Sequence, residues 1–253
     1  MAEVRKFDGL DALSRAAADE LVAIIHEAVA ARGACNIALS GGSTPKRLFQ
    51  ILAAMGKDAL PWDRIQLWWG DERTVAPDHA DSNYRMTREA LLDPLALDPA
   101  RIHRIRGEAA DPGAAAQAYE DELVRALAEL PLKVPVFDYV MLGMGPDGHT
   151  ASLFPNTPAL AETSRFVVAN PVDSPLTKGP TTRITLTAPA LNAARHIRFL
   201  VGGADKAEPL AQVLDGARAP DTYPSQLIEP SHGGDLVWFV DDAAARLLEK
   251  GTS

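Results

Sequence analysis

The fifteen residues M-L-G-M-G-P-D-G-H-T-A-S-L-F-P, Met141 to Pro155, decide how this chain is read. Phe137 to Leu142 reads as a short buried strand, and it runs into three glycines, an aspartate and a histidine. Glycine lets a ligand approach the backbone closely, and imidazole is the side chain whose charge changes near neutral pH. In open α/β sheets ligands bind beyond the carboxyl ends of the strands, so His149 is the first candidate for chemistry.

Working outward from that turn, helix-like and strand-like segments alternate along most of the chain. Leu10 to Ala31 places Leu13, Ala17, Leu21, Ile24, Ile25 and Ala28 on one helical stripe. Strands are expected at Asn36 to Ser40, Ile65 to Trp69, Phe166 to Ala169, Arg183 to Thr187, Ile197 to Val201 and Leu236 to Val240. Helices are expected at Pro45 to Met55 with Thr44 as N-cap, at Asn83 to Leu92 capped by Asp81 or Ser82, and at Pro112 to Leu130 capped by Asp111. A further helix is expected from near Asp205, and a short Ala-rich one at the C-terminus. Apolar strands separated by helices imply an α/β fold: a Rossmann-like, mostly parallel β-sheet with helices on both faces, a three-layer αβα arrangement. No linker or internal repeat divides the sequence, so residues 1–253 are expected to form a single domain.

Composition narrows the function. The net charge of −9 and the absence of a Lys/Arg run argue against a nucleic-acid surface. No apolar segment suits a signal core or a membrane span, so a cytoplasmic protein with no membrane partner is expected. The single cysteine, Cys35, excludes an internal disulfide and a Cys-based zinc cage, and is expected to be a small buried hydrophobe. The other histidines, His26, His79, His103, His196 and His232, show no paired metal spacing and are expected at the surface; no metal site is expected.

Three loops at expected strand ends carry the polar chemistry. Ser40-Gly41-Gly42-Ser43-Thr44-Pro45 joins a strand to a helix, and its N–H groups, hydroxyls and helix start suit a phosphate. It lacks the G-K-[ST] ending of a nucleoside-triphosphate loop. Gly70-Asp71-Glu72-Arg73 brings a guanidinium fork for an anion, with Asp71 to orient it or to meet sugar hydroxyls. The third loop, Gly143 to Gly148, satisfies G-x-G-x-x-G, the dinucleotide fingerprint. Pro146 and the adjacent His149 do not suit the helix start that would receive a pyrophosphate, and no acid on a second strand follows at the usual spacing.

Taken together, the motifs L-S-G-G-S-T-P at Leu39 to Pro45, W-G-D-E-R at Trp69 to Arg73, S-N-Y-R-M at Ser82 to Met86, the segment from Gly143 to Pro155, R-I-T-L-T at Arg183 to Thr187 and G-x-x-K at Gly203 to Lys206 resemble the 6-phosphogluconolactonase family, in the superfamily shared with glucosamine-6-phosphate deaminase. The resemblance implies hydrolysis of 6-phospho-D-glucono-1,5-lactone without metal or organic cofactor, by a monomer or weak homodimer. Carried over by motif, His149 is the general base and Asp147 its neighbour. Gly42, Ser43, Thr44, Asp71, Arg73, Arg183 and Lys206 surround the sugar phosphate. The deaminase is expected to continue from its histidine into F-N-E-P, whose glutamate moves protons; here Leu153-Phe154-Pro155 stands instead, and phenylalanine cannot do that work. A deaminase-like isomerase, a sugar-phosphate-binding regulator without turnover and a nucleotide-dependent oxidoreductase are the alternatives.

Overall fold

The computed structural model describes residues 3–129, 133–177 and 179–248. Seven strands form one sheet: β1 (Glu3–Phe7), β2 (Cys35–Leu39), β3 (Ile65–Trp69), β5 (Ile102–His103), β8 (Tyr139–Leu142), β11 (His196–Val201) and β12 (Asp235–Asp241). Their order is β1-β12-β11-β8-β2-β3-β5, and every neighbouring pair is parallel. Helices cover both faces, giving three layers. The central strands are buried along nearly their whole length, because a parallel sheet covered on both sides leaves no face for water.

The strand order places the site. From β2 the chain moves outward through β3 to β5, then returns to lay β8 on the other side of β2 before continuing to β11 and β12. The direction of winding thus reverses between β2 and β8. At such a switch the loops leaving two adjacent strands diverge to opposite faces and open a crevice.

Several expectations are corrected. The segments near 166 and 183 do not enter the parallel sheet: β9 (Val167–Val172) and β10 (Thr181–Leu186) pair antiparallel with each other and with β4 (Asp71–Arg73) in a separate three-stranded sheet. The connection from 173 to 180 is too short for the crossover that parallel strands require, and it contains the proline and glycine of a turn. Residues 71–73, read as loop, are strand because their backbone pairs with β10 after the chain bends at Gly70. There Gly70 donates to the Leu39 carbonyl at 2.9 Å and accepts from Leu186 at 2.8 Å. β1 was not foreseen, and a two-residue hairpin, β6 (Ala128–Glu129) with β7 (Val134–Pro135), follows the helix Pro112–Leu127. That helix was expected to reach 130, which lies outside the described residues.

The helix after β2 begins at Ser43, with Gly42 as its N-cap, so Thr44 is not the cap and Pro45 occupies the third helical position. Proline is tolerated there because the first four N–H groups of a helix have no intrahelical partner. The segment 83–92 divides into an α-helix, Asn83–Thr87, and a π-turn, Arg88–Leu92. Ser82 caps it by accepting from Arg85 N at 3.1 Å. The Glu72 carboxylate reaches across from β4 to accept from Asn83 N and Tyr84 N at 2.8 Å each, placing an anion at the positive end of the helix.

Cys35 is fully buried, and burial pushes its thiol up to about 12. Of the five histidines expected at the surface, His26, His79 and His232 are exposed, whereas His103 and His196 are half-buried. His103 lies flat on Trp68, ring centroids 3.9 Å apart, with Glu122 at one nitrogen and Gln66 at the other. Among the described residues no helix is long and apolar enough to cross a membrane, and no three His, Cys, Asp or Glu are grouped to hold a metal ion.

Candidate active site

Segments leaving the carboxyl ends of β2, β3, β8 and β11, together with Leu176 of the connection from β9 to β10, line a cleft of about 300 Å³. Gly42, Asp71, Arg73, His149 and Lys206, all singled out in the sequence, line it. A larger cavity of about 490 Å³ beside Trp238 holds none of them, and its arginine, Arg218, is already ion-paired with Glu229.

His149 is fixed by its own turn. Asp147 Oδ1 accepts from the His149 backbone N–H at 3.1 Å and lies 2.5 Å from Nδ1. An ionised carboxylate only accepts, so Nδ1 carries a proton, and in the neutral form of the ring Nε2 is the nitrogen that keeps a lone pair. Burial works to raise the Asp147 carboxyl, but the hydrogen bonds and charge of His149 outweigh it and hold the group below its ordinary value. Gly145 is required by close approach: a Cβ there would stand 2.1 Å from both Cε1 and Nδ1 of the ring.

Arg73 and Lys206 share the cleft with the imidazole, and Arg183 pairs with Arg73 in the small sheet. Arg73 and Arg183 are directly opposed in the β4–β10 register, so their side chains leave the same face of the small sheet. The Nε of each is buried without a hydrogen-bond partner among the described residues. Burial first, and then the Arg73 charge, press the Arg183 guanidinium below its ordinary value. The two like charges on one face repel each other, while Asp71, Glu72 and Asp81 act in the opposite sense on Arg183. The Gly42 N-cap supplies no side-chain bond to the first N–H groups of the helix Ser43–Met55. Lys206 lies in the cleft wall with Nζ 2.6 Å from Asp205.

Not every expected residue faces the cleft. Asp147, Ser43, Thr44 and Arg183 do not line it; Thr44 is buried in the first helical turn and Ser43 is exposed. Unassigned from sequence are Asn83 and Ser152, which hold Asp71: Asn83 Nδ2 donates to Asp71 Oδ1 at 3.2 Å, and Ser152 Oγ to Oδ2 at 2.6 Å. Gly41 must lack a side chain, since a Cβ would meet Asn83 Oδ1 at 1.9 Å. Both Asn83 and Ser152 sit inside the motifs quoted above, but nothing in their spacing ties position 152 to position 71. Phe154 stacks on His149, centroids 4.0 Å apart and planes 19° from parallel.

Residues 8–238 match the family model described as glucosamine-6-phosphate isomerases/6-phosphogluconolactonase. The chain belongs to that family. Its similarity to a 6-phosphogluconolactonase of Synechocystis sp. is 44% identity over 225 residues, 88% of this chain and 89% of the relative. One from Streptomyces coelicolor is 39% identical over 248 residues, covering 94% and 91%. Among solved structures, the 6-phosphogluconolactonase of Trypanosoma brucei superposes with a TM-score of 0.86 at 28% identity, covering 98% of this chain and 99% of that one. A monomeric glucosamine-6-phosphate deaminase superposes with a TM-score of 0.79 at 23% identity, covering 97% and 99%, which shows that the two branches of the family share one fold.

Proposed function

We propose that the chain is a 6-phosphogluconolactonase, hydrolysing 6-phospho-D-glucono-1,5-lactone to 6-phospho-D-gluconate as one catalytic unit without a cofactor. The names of its relatives support the reaction. The observation that carries the residue roles is a histidine whose Nδ1 is committed to Asp147, in a cleft also lined by Arg73, whose Nε has no hydrogen-bond partner among the described residues.

In this reading neutral His149 takes a proton through Nε2 from a water that attacks the lactone carbonyl at C1. A base so placed contributes roughly 10²- to 10⁴-fold. Asp147 stabilises the imidazolium that forms, and backbone N–H groups of the glycine turns receive the oxyanion. As the tetrahedral intermediate collapses, the bond from C1 to the ring oxygen breaks and His149 returns its proton to that oxygen. Asp71, oriented by Asn83 and Ser152, meets sugar hydroxyls. Arg73, Arg183, Lys206 and the helix start at Gly42, Ser43 and Thr44 hold the phosphate, using binding energy remote from C1 to align the reacting carbonyl.

The test is acid release from fresh lactone, measured against its spontaneous hydrolysis, beside ammonia release from glucosamine 6-phosphate. Enzyme should accelerate only the first. A lactone rate equal to the spontaneous one overturns the proposal, and ammonia release would move the chain to the deaminase branch.

A further inference from the structure

The structure contains two stacked histidines, and their difference points to a residue with no role in the reaction as written so far. His103 lies against Trp68 and has a partner at each nitrogen, so its ring is locked on both edges and does structural work. Among the described residues His149 has a partner at Nδ1 alone. A single hydrogen bond fixes one point of a ring and leaves it free to pivot about that point. The pivot would carry Nε2 off the line to an attacking water, and a misplacement of about 1 Å costs on the order of 10²-fold in rate.

Phe154 removes the pivot. Its ring lies 4.0 Å from the imidazole with the planes 19° apart, so the two faces are in close, nearly parallel contact. Phe154 is itself immobilised: it is 4% exposed, and its carbonyl accepts from Thr157 Oγ1 at 2.7 Å and from Thr157 N at 3.3 Å. Gly145 lets the backbone close on the Cε1–Nδ1 edge, where no side chain fits. Edge, nitrogen and face are then each held by a different residue of one turn.

We propose that Phe154 is a positioning residue for the general base, setting the plane of the His149 ring so that Nε2 stays aimed into the cleft. The inference rests on the assignment of His149 as base. Phe154 touches neither substrate nor reacting atoms and acts only through the imidazole. Leucine fills similar space but offers no flat face, whereas tyrosine keeps one.

Two readings on Phe154→Leu and Phe154→Tyr decide it. In steady-state kinetics on the lactone, Phe154→Leu should lower kcat at least about tenfold with KM within about twofold, and Phe154→Tyr should keep most of kcat. In proton NMR of the wild type the Phe154 ring current moves the His149 Cε1 and Cδ2 protons upfield. Phe154→Leu should lose that shift and Phe154→Tyr should keep it. A Phe154→Leu enzyme with kcat within twofold of wild type, unchanged His149 resonances, or equal loss in both variants overturns the proposal. If wild type shows no lactonase rate, or His149→Ala keeps its kcat, the base assignment falls instead, and the NMR shifts still report whether Phe154 fixes the ring.

Discussion

The two ends of the parallel sheet treat charge in opposite ways. At the amino end Arg198 is buried, and its guanidinium is fully engaged: Glu20 accepts at 2.9 Å and Asp235 at 2.9 and 3.0 Å. Asp138 nearby accepts from Arg32 at 2.8 Å and from Asn36 N at 2.7 Å. At the carboxyl end, among the described residues, Arg73 and Arg183 have no carboxylate partner of this kind, and their Nε atoms are orphaned. The shifts follow. Burial works to lower both Arg198 and Arg183, but hydrogen bonds to Asp235 and Glu20 carry Arg198 above its ordinary value, while the Arg73 charge adds to the lowering of Arg183. Where the protein balances its own charge it gains a fixed structure. Where it leaves the balance open, the proposed function places the phosphate of the substrate.

The sharpest way to break this contrast is to remove one group from each end. His149→Ala should lower kcat by about 10²- to 10⁴-fold with little change in Tm. Arg198→Met should leave kcat per folded molecule near normal while costing roughly 2 kcal/mol in urea unfolding, a value discounted because Asp235 is half exposed. If Arg198→Met abolishes turnover in folded protein, the separation of roles between the ends fails.

The next effect is smaller and tests the open cations. Replacing Arg73 or Arg183 by methionine should raise KM by about 10- to 100-fold, the size of one lost charge-assisted bond, with kcat changed less. The same Arg183→Met variant should be at least as thermally stable as wild type without ligand, because a guanidinium facing another guanidinium has been removed. A clear fall in its Tm would mean that the pair is structural.

Inorganic phosphate sharpens the same point. At ten times its Kd it should stabilise wild type by about 1.4 kcal/mol, read as a rise in Tm, and Arg73→Met should lose most of that rise. An equal rise in both proteins would place the anion elsewhere.

The smallest effect concerns pH. The Asp147 carboxyl sits below its ordinary value of 3.8, so the folded state binds its proton less readily than the unfolded chain does. Its contribution to stability is therefore complete above that ordinary value and is lost as pH falls through the lowered one. Asp147→Asn should flatten stability against pH in the acid region alone, and a difference centred near neutrality would contradict the assignment.

How much of this was legible in the sequence depends on the range of the interaction. β3 was read at Ile65–Trp69 and found there, because a buried strand writes itself as a continuous apolar run. The glycine loop at Ser40 to Pro45 and the imidazole turn were readable because glycine, a helix start and a histidine are local signals. β1 was missed because an edge strand such as E-V-R-K-F buries only Val4 fully. The antiparallel sheet was misassigned because Phe166 to Ala169 and Arg183 to Thr187 show apolarity but not partner direction; the short turn between them held that information. The Asp71 to Ser152 bond spans 81 positions and has no periodic trace at all.

That span has a consequence for the chain as it is made. β2 pairs with β8 through Ile37 and Tyr139, so the crevice is a seam between an early and a late portion of the polypeptide. A growing chain that has presented the helix start at Ser43, Arg73 and the first three sheet strands still has no seam, and Arg183 and Lys206 emerge later than the imidazole. Turnover should therefore be the last property the nascent protein acquires, arriving only when distant segments close on one another. A fragment ending before 206, however well its helices form, should sequester no sugar phosphate.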